Sequence, residues 1–484
     1  MNFRAVLRFV SPVLLAVGLG QLLCALLAPA LGGAADARAA LFQSAAAALA
    51  CGGCLRLATA GAAAGGLRGR DGFGVVVLGW VSAALAGALP WWLAGAAPSF
   101  NAAFFEAMSG FTTTGVSALA GAGGLPRALL LWRAMTQFLG GMGVLVLVVA
   151  VLPFGGAGGM SLFRAEMTGP VKDRLTPRIA TTAKLLWFAY CGLTLAAVLL
   201  LRAVGMPWFD SVCHAFATLS SGGFSFRDGG LNAFHSPAVE AVVAAFMLLA
   251  GVNFALLCRF LRGGFRAPWR DSEFRFYVSA WFVLCVLFTA GLWWATPAGP
   301  GASARAAVFT VTSFLSTTGF ATADFNAWPD FLRLALFLLF FLGGCAGSTA
   351  GGVKMVRVLA ALKFVRHEIR LWVQPRAVMP VKLNGRPVEP GVLGGMMGFA
   401  ALYVAVFAVS TLVLSPFIPG LFNAANIAAA MLSNTGAVFD AAGPAGDFGA
   451  LPAMVRLFLS FLMLLGRLEL YTVLVLFAPS FWRK

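Results

Sequence analysis

Thr112-Thr113-Thr114-Gly115-Val116 is written four times in this 484-residue chain, in slightly different spellings. The other copies are Ser220-Ser221-Gly222-Gly223-Phe224, Ser316-Thr317-Thr318-Gly319-Phe320 and Ser433-Asn434-Thr435-Gly436-Ala437. In each copy a hydroxyl residue leads, two mostly hydroxyl or small residues follow, and a glycine comes next. The glycines stand roughly a hundred residues apart, so each copy has room for its own supersecondary unit. A short apolar segment precedes each copy: Phe104 to Phe111, Val212 to Leu219, Val308 to Leu315, Ile427 to Leu432. A long apolar span follows each one. The chain reads as one unit repeated four times.

Composition says where that unit lives. Hydrophobic residues make up 60% of the chain and charged residues 11%, with a mean hydropathy of +0.90. A soluble domain carries roughly 25% charged residues, so this is read as an integral membrane protein. About ten apolar runs reach the length of roughly 20 residues that a bilayer crossing needs. The net charge of +17 is read as topology, because inner loops collect Lys and Arg, and not as a nucleic-acid surface. Cys51 and Cys54 have the spacing of a redox or zinc pair. They lack a second pair or a nearby His, and are read as small buried thiols. Met1 to Leu31 reads as a span without a clear signal-peptide cleavage site.

Residues 1–70 hold two spans, near Val10 to Leu31 and Ala39 to Ala63, which stand outside the fourfold unit. Unit one, 71–184, has a span near Gly72 to Leu93, a re-entrant segment Ser99 to Ser117 and a span near Ala128 to Leu152. Gly140-Gly141-Met142-Gly143 in that second span suits close helix packing. A basic loop with Arg164, Lys172, Arg174, Arg178 and Lys184 ends the unit. Unit two, 185–275, has spans near Leu185 to Val204 and Ala238 to Phe260 around the segment Pro207 to Ser225, then Arg259, Arg262, Arg266, Arg270 and Arg275. Unit three, 276–390, has a span near Phe276 to Thr296 and the segment Ser303 to Ala321. Its second span, from near Phe331, is interrupted by Gly343 to Gly352, and the longest basic stretch, Lys354 to Arg386, follows. Unit four, 391–484, has spans near Val392 to Leu414 and Leu451 to Ala478 around the segment Gly420 to Val438.

With both termini inside, the inner segments hold 25 of the 34 Lys and Arg. Nine of the 17 acids fall outside: Asp36, Glu106, Asp210, Asp228, Glu240, Asp324, Asp330, Asp440 and Asp447. This asymmetry sets the orientation and puts all four re-entrant segments on one outer face. Backbone that is neither helix nor closed sheet is tolerated at membrane depth only where it is buried in protein or lines water. Four loops entering from one side can surround an axis and offer a ring of carbonyls in place of a cation's hydration shell. The glycines supply positive φ, the hydroxyls add oxygen ligands or brace the loop, and each short helix points a partly negative C-terminal end inward. The expected filter ligands are Thr113, Thr114, Gly115, Ser221, Gly222, Gly223, Thr317, Thr318, Gly319, Asn434, Thr435 and Gly436. Asn101, Asp210 and Asn423 sit near the outer starts of three of the short helices, where such residues cap well. Neither His214 nor His235 has metal-ligand company, and both are read as structural or exposed.

Two further features bear on control. The run from Gly343 to Gly352 is too glycine-rich for a good helix, since each Gly costs about 1 kcal/mol. It reads either as an irregular intramembrane loop below the filter, with Ser348 and Thr349 in reach of ions or water and Gly343, Gly344, Gly347, Gly351 and Gly352 as further gate candidates, or as a close helix-packing site. Arg467 lies about 16 residues into its span, roughly 24 Å from the outer end, and an uncompensated charge there costs about 2.5–3.5 kcal/mol. It reads as a positive barrier in an ion path or as half of a structural ion pair with a distant acid. Glu469, two residues on, points elsewhere if the helix continues.

These residues carry a resemblance. The fourfold span–pore helix–filter–span plan resembles the Trk/Ktr/HKT superfamily of potassium transporters. The N-terminal pair, the stretch Gly169-Pro170 through Arg178, the Gly343 to Gly352 interruption and Leu464-Leu465-Gly466-Arg467-Leu468-Glu469 resemble its TrkH/TrkG branch. The resemblance covers essentially the whole chain. It implies an all-α bacterial inner-membrane protein that forms homodimers, passes K⁺, and is regulated by a cytosolic TrkA-like nucleotide-binding ring, with the glycine-rich run as a gating loop. The second and fourth filters depart from a potassium-channel spelling, so cation selectivity is better supported than K⁺ over Na⁺. The chain has no P-loop, HExxH or clustered His/Asp/Glu set, which argues against an enzyme and places any nucleotide dependence in a partner. The rival to a K⁺-conducting pore is a Na⁺- or proton-coupled symporter built on broken helices at midplane.

Overall fold

The computed structural model describes residues 2–32, 34–61, 69–119, 121–151, 179–227, 230–376, 380–439 and 448–482. Arg68, Arg164, Lys172, Arg174, Arg178, the whole Gly169-to-Arg178 stretch, Asp228, Asp440, Asp447, Arg483 and Lys484 lie outside them. The described chain is helical apart from one two-stranded hairpin, Lys382–Leu383 with Arg386–Pro387, closed by an Asn384-Gly385 turn. Both turn residues have positive φ, as a two-residue hairpin loop requires.

Six described helices are long and apolar enough to cross a bilayer, and two sharply bent pairs bring the number to eight. The other two spans read from the sequence correspond to the 25-residue helix Arg127–Val151 and to the 10-residue Asp330–Leu339, which is too short to cross a bilayer alone. The first two helices, Phe3–Leu27 and Ala35–Ala58, pack against each other through small residues. A Cβ on Gly18 would press on Leu49, and one on Gly52 on Leu15. Ser11 Oγ donates to the Gly52 carbonyl at 2.8 Å, and Gln21 Nε2 ties the pair to the next span at Ala86 O, 2.9 Å. Cys51 and Cys54 are exposed. The expectation that they are buried is therefore wrong: an Ala-rich helix has apolar residues on every side, so composition does not say which side faces protein.

From Gly69 onward one element order recurs: a long helix, a short helix, a non-helical loop and a second helix. The short pore helices are Phe100–Phe111, Trp208–Leu219, Pro300–Leu315 and Leu421–Ser433. Each ends one or two residues before the first positive-φ residue of its loop. The second helix of unit one packs tightly on the loops. A Cβ on Gly140 would collide with the Phe111 carbonyl, and one on Gly141 would sit 2.8 Å from Ser220 Cα.

Two expectations are corrected here. The second span is broken in three units, not one. In unit two, helix Pro237–Ala250 turns by 104° into Phe254–Leu261, and in unit four, Ala453–Arg467 turns by 114° into the segment Tyr471–Phe477. Asn253 caps the new helix in unit two, accepting from Ala255 N and Leu256 N at 2.8 and 3.3 Å. Glu469 and Leu470 take positive φ in unit four, so Glu469 does not continue a helix face. The second correction concerns Asn101, Asp210 and Asn423, whose side chains do not cap the pore helices. Ser99 caps the first, accepting from Ala102 N at 3.2 Å. Asn101 accepts from Arg456 Nε at 2.7 Å, Asp210 pairs with Arg227 at 3.0 Å, and Asn423 donates to Pro419 O at 3.0 Å.

Candidate functional site

Each loop begins with a left-handed residue, passes one residue in ordinary conformation, and returns to the left-handed region at its glycine. The pairs are Thr113 and Gly115 (φ 52° and 88°), Ser221 and Gly223 (58° and 70°), Thr317 and Gly319 (54° and 80°), Asn434 and Gly436 (55° and 64°). The sequence alone points to positive φ only at the glycine. The preceding Thr, Ser or Asn adopts it at a steric cost of about 1–2 kcal/mol, and is held there by what surrounds it.

The four loops close into a ring. A Cβ built on Gly115 would collide with the carbonyl oxygen of Gly222, one on Gly223 with that of Thr318, one on Gly319 with that of Thr435, and one on Gly436 with that of Thr114. Each glycine thus abuts the residue just before the glycine of the next unit, in cyclic order, and the fourth returns to the first. All twelve filter residues that the sequence singles out lie in this ring. Three of the four middle positions are braced by hydroxyl pairs two residues apart: Thr112 with Thr114 at 2.9 Å, Ser316 with Thr318 at 2.8 Å, Ser433 with Thr435 at 2.8 Å.

The Gly343-to-Gly352 run is an irregular loop, not a helix-packing stripe. It lies against the ring. Thr349 Oγ1 meets Ser221 Oγ at 2.9 Å, Gly351 N donates to Thr317 Oγ1 at 2.6 Å, and a Cβ on Gly351 would collide with the Ser433 carbonyl. The broken helix of unit two supports it: Cys345 N donates to Gly251 O at 2.8 Å and Phe254 N to Gly347 O at 3.1 Å. Ser348, fully buried, donates to Cys345 O within the loop. Gly344 and Gly343 pack against the Gly251 and Gly351 carbonyls, where no side chain fits.

Arg467 closes this layer. Its NH1 donates to the Thr349 carbonyl at 2.7 Å, and the side chain is buried. No acid pairs with it among the described ion pairs. The acid beside it, Glu469, is instead 2.5 Å from Arg357 NH2. The Arg357 guanidinium also lies 3.8 Å over the Phe399 ring. His214 is structural: its Nδ1 meets Asp210 O at 2.9 Å and its ring packs among Phe226, Phe234 and Phe320.

Several residues that build this site do not stand out in the sequence. Glu273, at the start of the first span of unit three, accepts from Ala346 N at 2.6 Å and Val356 N at 3.0 Å, clasping both sides of the loop. An acid in a helix's first turn is so ordinary that it carries no signal. Lys354 Nζ donates to Ala350 O at 2.7 Å. Elsewhere around the ring, Glu106 and Arg133 form a buried pair at 2.6 Å. Glu106 also accepts from Ser117 Oγ and Ala118 N, at 3.0 and 2.9 Å. Arg133 reaches Ser225 O at 2.8 Å and lies 3.6 Å over the Phe224 ring. A charged pair separated by 27 residues with apolar sequence between gives no local cue; only the fold brings it together.

The comparisons agree with this architecture. Residues 37–484 match the TrkH family model, described as a cation transport protein. The Trk system potassium uptake protein TrkH of Escherichia coli (strain K12) is 41% identical over 425 residues, 87% of each chain. The Trk system potassium uptake protein TrkG of the same strain is 37% identical over 421 residues, 86% of each chain. The crystal structure of the potassium transporter TrkH from Vibrio parahaemolyticus matches with a TM-score of 0.90 at 35% identity, covering 100% of both chains. The chain belongs to the TrkH family of cation transport proteins, a family of transporters and not of enzymes.

Proposed function

We infer that this protein takes up K⁺ across the bacterial inner membrane, through the ring formed by its four filter loops. The observation that carries this reading is the cyclic contact of Gly115, Gly223, Gly319 and Gly436 with the carbonyls of Gly222, Thr318, Thr435 and Thr114. Four backbone segments around one axis suit a dehydrated monovalent cation. The named potassium uptake relatives support K⁺ as that cation. Units 71–184, 185–275, 276–390 and 391–484 each contribute one arc, with 1–70 as an added pair. Both termini face the cytoplasm, so inward flow follows the membrane potential at about 2.3 kcal/mol per charge per 100 mV.

In this reading the loop from Gly343 to Gly352 and Arg467 form the gate. The loop covers the ring from one side and Arg467 holds it through Thr349 O. A guanidinium stays charged at physiological pH. At about 4 Å and an effective dielectric near 20 it repels a cation by roughly 4 kcal/mol, enough to slow permeation and small enough for a modest shift to relieve. A homodimer and a cytosolic TrkA-like ring that binds the nucleotide complete the assembly. The ring would dock on the inner basic segments Arg164 to Lys184, Arg259 to Arg275 and Lys354 to Arg386, whose bases Lys184, Arg259 to Arg275, Lys354 to Arg376, Lys382 and Arg386 are described.

Rubidium uptake with Na⁺ competition, in potassium-starved cells lacking their own uptake systems, tests the reading. Uptake that resists excess Na⁺ supports it; no uptake overturns it. Uptake that requires a proton or Na⁺ gradient favours the coupled symporter, to which the two sharply bent spans also lend themselves. Arg467→Ala is expected to raise uptake severalfold. Arg467→Lys should raise it least, because it keeps the charge. Well-expressed Arg467→Ala protein with unchanged or lower uptake removes Arg467 from the gate.

A further inference from the structure

The second filter loop lacks the hydroxyl pair that braces the other three, because Gly222 stands where Thr114, Thr318 and Thr435 stand. The space is not empty. A Cβ on Gly222 would run into the side-chain amide of Gln137, which comes from the second helix of unit one. Gln137 is fully buried. Its Nε2 donates to Gly222 O at 2.7 Å and its Oε1 accepts from Phe224 N at 3.3 Å. One turn earlier on the same helix, Arg133 donates to Ser225 O at 2.8 Å. Three backbone groups of the second loop, at residues 222, 224 and 225, are thus held by one face of a neighbouring unit's helix.

Gly222 is not in the left-handed region, so its own backbone does not demand glycine. What demands glycine there is Gln137. The two positions are alternatives for one volume: either a small loop residue with a glutamine brace from outside, or a hydroxyl residue with a brace from within. The carbonyl that Gln137 holds is also the one that abuts Gly115 in the ring. Any slack in Gly222 therefore passes straight to the first filter loop.

We propose that Gln137 is a positioning residue for ion selectivity, an out-of-loop substitute for the missing filter hydroxyl. Its place in selectivity rests on the K⁺ reading above, whereas the brace itself does not. Gln137→Ala removes two hydrogen bonds from the ring, and K⁺ over Na⁺ preference in rubidium uptake is expected to fall about tenfold, the scale of that loss. Gln137→Met keeps nearly the same shape but removes both hydrogen bonds, and should lower selectivity similarly. Gly222→Thr alone collides with Gln137 and is expected to abolish most uptake. The double variant, Gln137→Ala with Gly222→Thr, places a hydroxyl beside Ser220 as in the other loops. It should recover at least half of the wild-type uptake and selectivity.

Melting temperature of the detergent-solubilised full chain supplies a second readout that needs no transport. Each of Gln137→Ala and Gly222→Thr should lower it, and the double variant should melt above Gly222→Thr. Recovery by the double variant supports the brace even if Gln137→Ala alone fails to fold. A double variant no better than Gly222→Thr, or Gln137→Met with wild-type selectivity and melting, overturns the proposal. If wild-type protein shows no rubidium uptake, the K⁺ reading falls, and the melting series alone decides whether Gln137 braces the ring.

Discussion

In the first and third filter loops Ser109 and Ser313 donate at 2.6 and 2.7 Å to the carbonyls of Val116 and Phe320, seven residues on. In the second and fourth loops the same positions are Ala217 and Ala430, and nothing on the pore helix makes that bond. The second loop leans on Gln137 and Arg133 from unit one. The fourth leans on Asn434, whose Nδ2 donates to Thr114 Oγ1 at 3.0 Å and to Met463 O at 2.8 Å. Yet all four loops share one alternation of φ and one contact between glycine and carbonyl. The comparison teaches that the ring requires a common backbone and not a common set of side chains. Odd loops carry a bond from a serine of their own pore helix that even loops lack, and the even loops make bonds to other helices instead.

The sharpest way to break this arrangement is to remove one member of the Glu106–Arg133 pair of unit one, whose arginine also holds the second loop at Ser225 O. Glu106→Ala or Arg133→Ala leaves a buried charge without its partner, at a cost of about 3–5 kcal/mol. We expect a large drop in melting temperature for each, with the double substitution costing less than the two singles together. Simple additivity would show that the pair does not act as a unit.

Next in size are the four glycines. Replacement by Ser at Gly115, Gly223, Gly319 or Gly436 imposes about 1–2 kcal/mol of left-handed strain, besides the collision with a neighbouring carbonyl. Uptake should fall by about tenfold or more, or Na⁺ should be admitted, and to a similar degree at all four positions because the backbone is shared. Normal uptake and selectivity in all four equally expressed variants would dismiss the filter assignment.

The smallest effect separates odd loops from even ones. Ser109→Ala and Ser313→Ala each remove one buried hydrogen bond, worth about 1 kcal/mol, and should lower melting slightly and K⁺ preference a fewfold. Ala217 and Ala430 already lack that bond, so Ala217→Gly and Ala430→Gly serve as controls that change the helix but not the brace. Equal selectivity losses in the serine and alanine series would erase the distinction between odd and even loops.

The four loops were legible because one motif is spelled four times, and the irregular run because five glycines in ten residues make a poor helix. The breaks at 251–253 and 468–470 were not. Val252, Leu468 and Leu470 continue the apolar run, and hydropathy is blind to a bend that stays inside the protein. Asn253 carried a helix-start signal that the surrounding hydropathy masked. Glu273, Gln137 and the pair of Glu106 with Arg133 were hidden for a different reason. Each acts on backbone or charge far away in sequence, and a single polar residue in an apolar span does not name its partner.

The contact between Gly436 and Thr114 also sets an order of events during synthesis. Asn434 and Thr114, which hydrogen-bond beside it, are 320 residues apart. At about 5–20 residues per second, the first arc waits tens of seconds for the fourth. Loop closure over such a distance must precede the contacts that reward it, which makes it slow. Until then the carbonyl of Thr114 and the glycine of the third loop face no partner from unit four. A ribosome that stalls before Gly436 therefore leaves three arcs of an unclosed circle, and the ring comes into being only with the fourth unit.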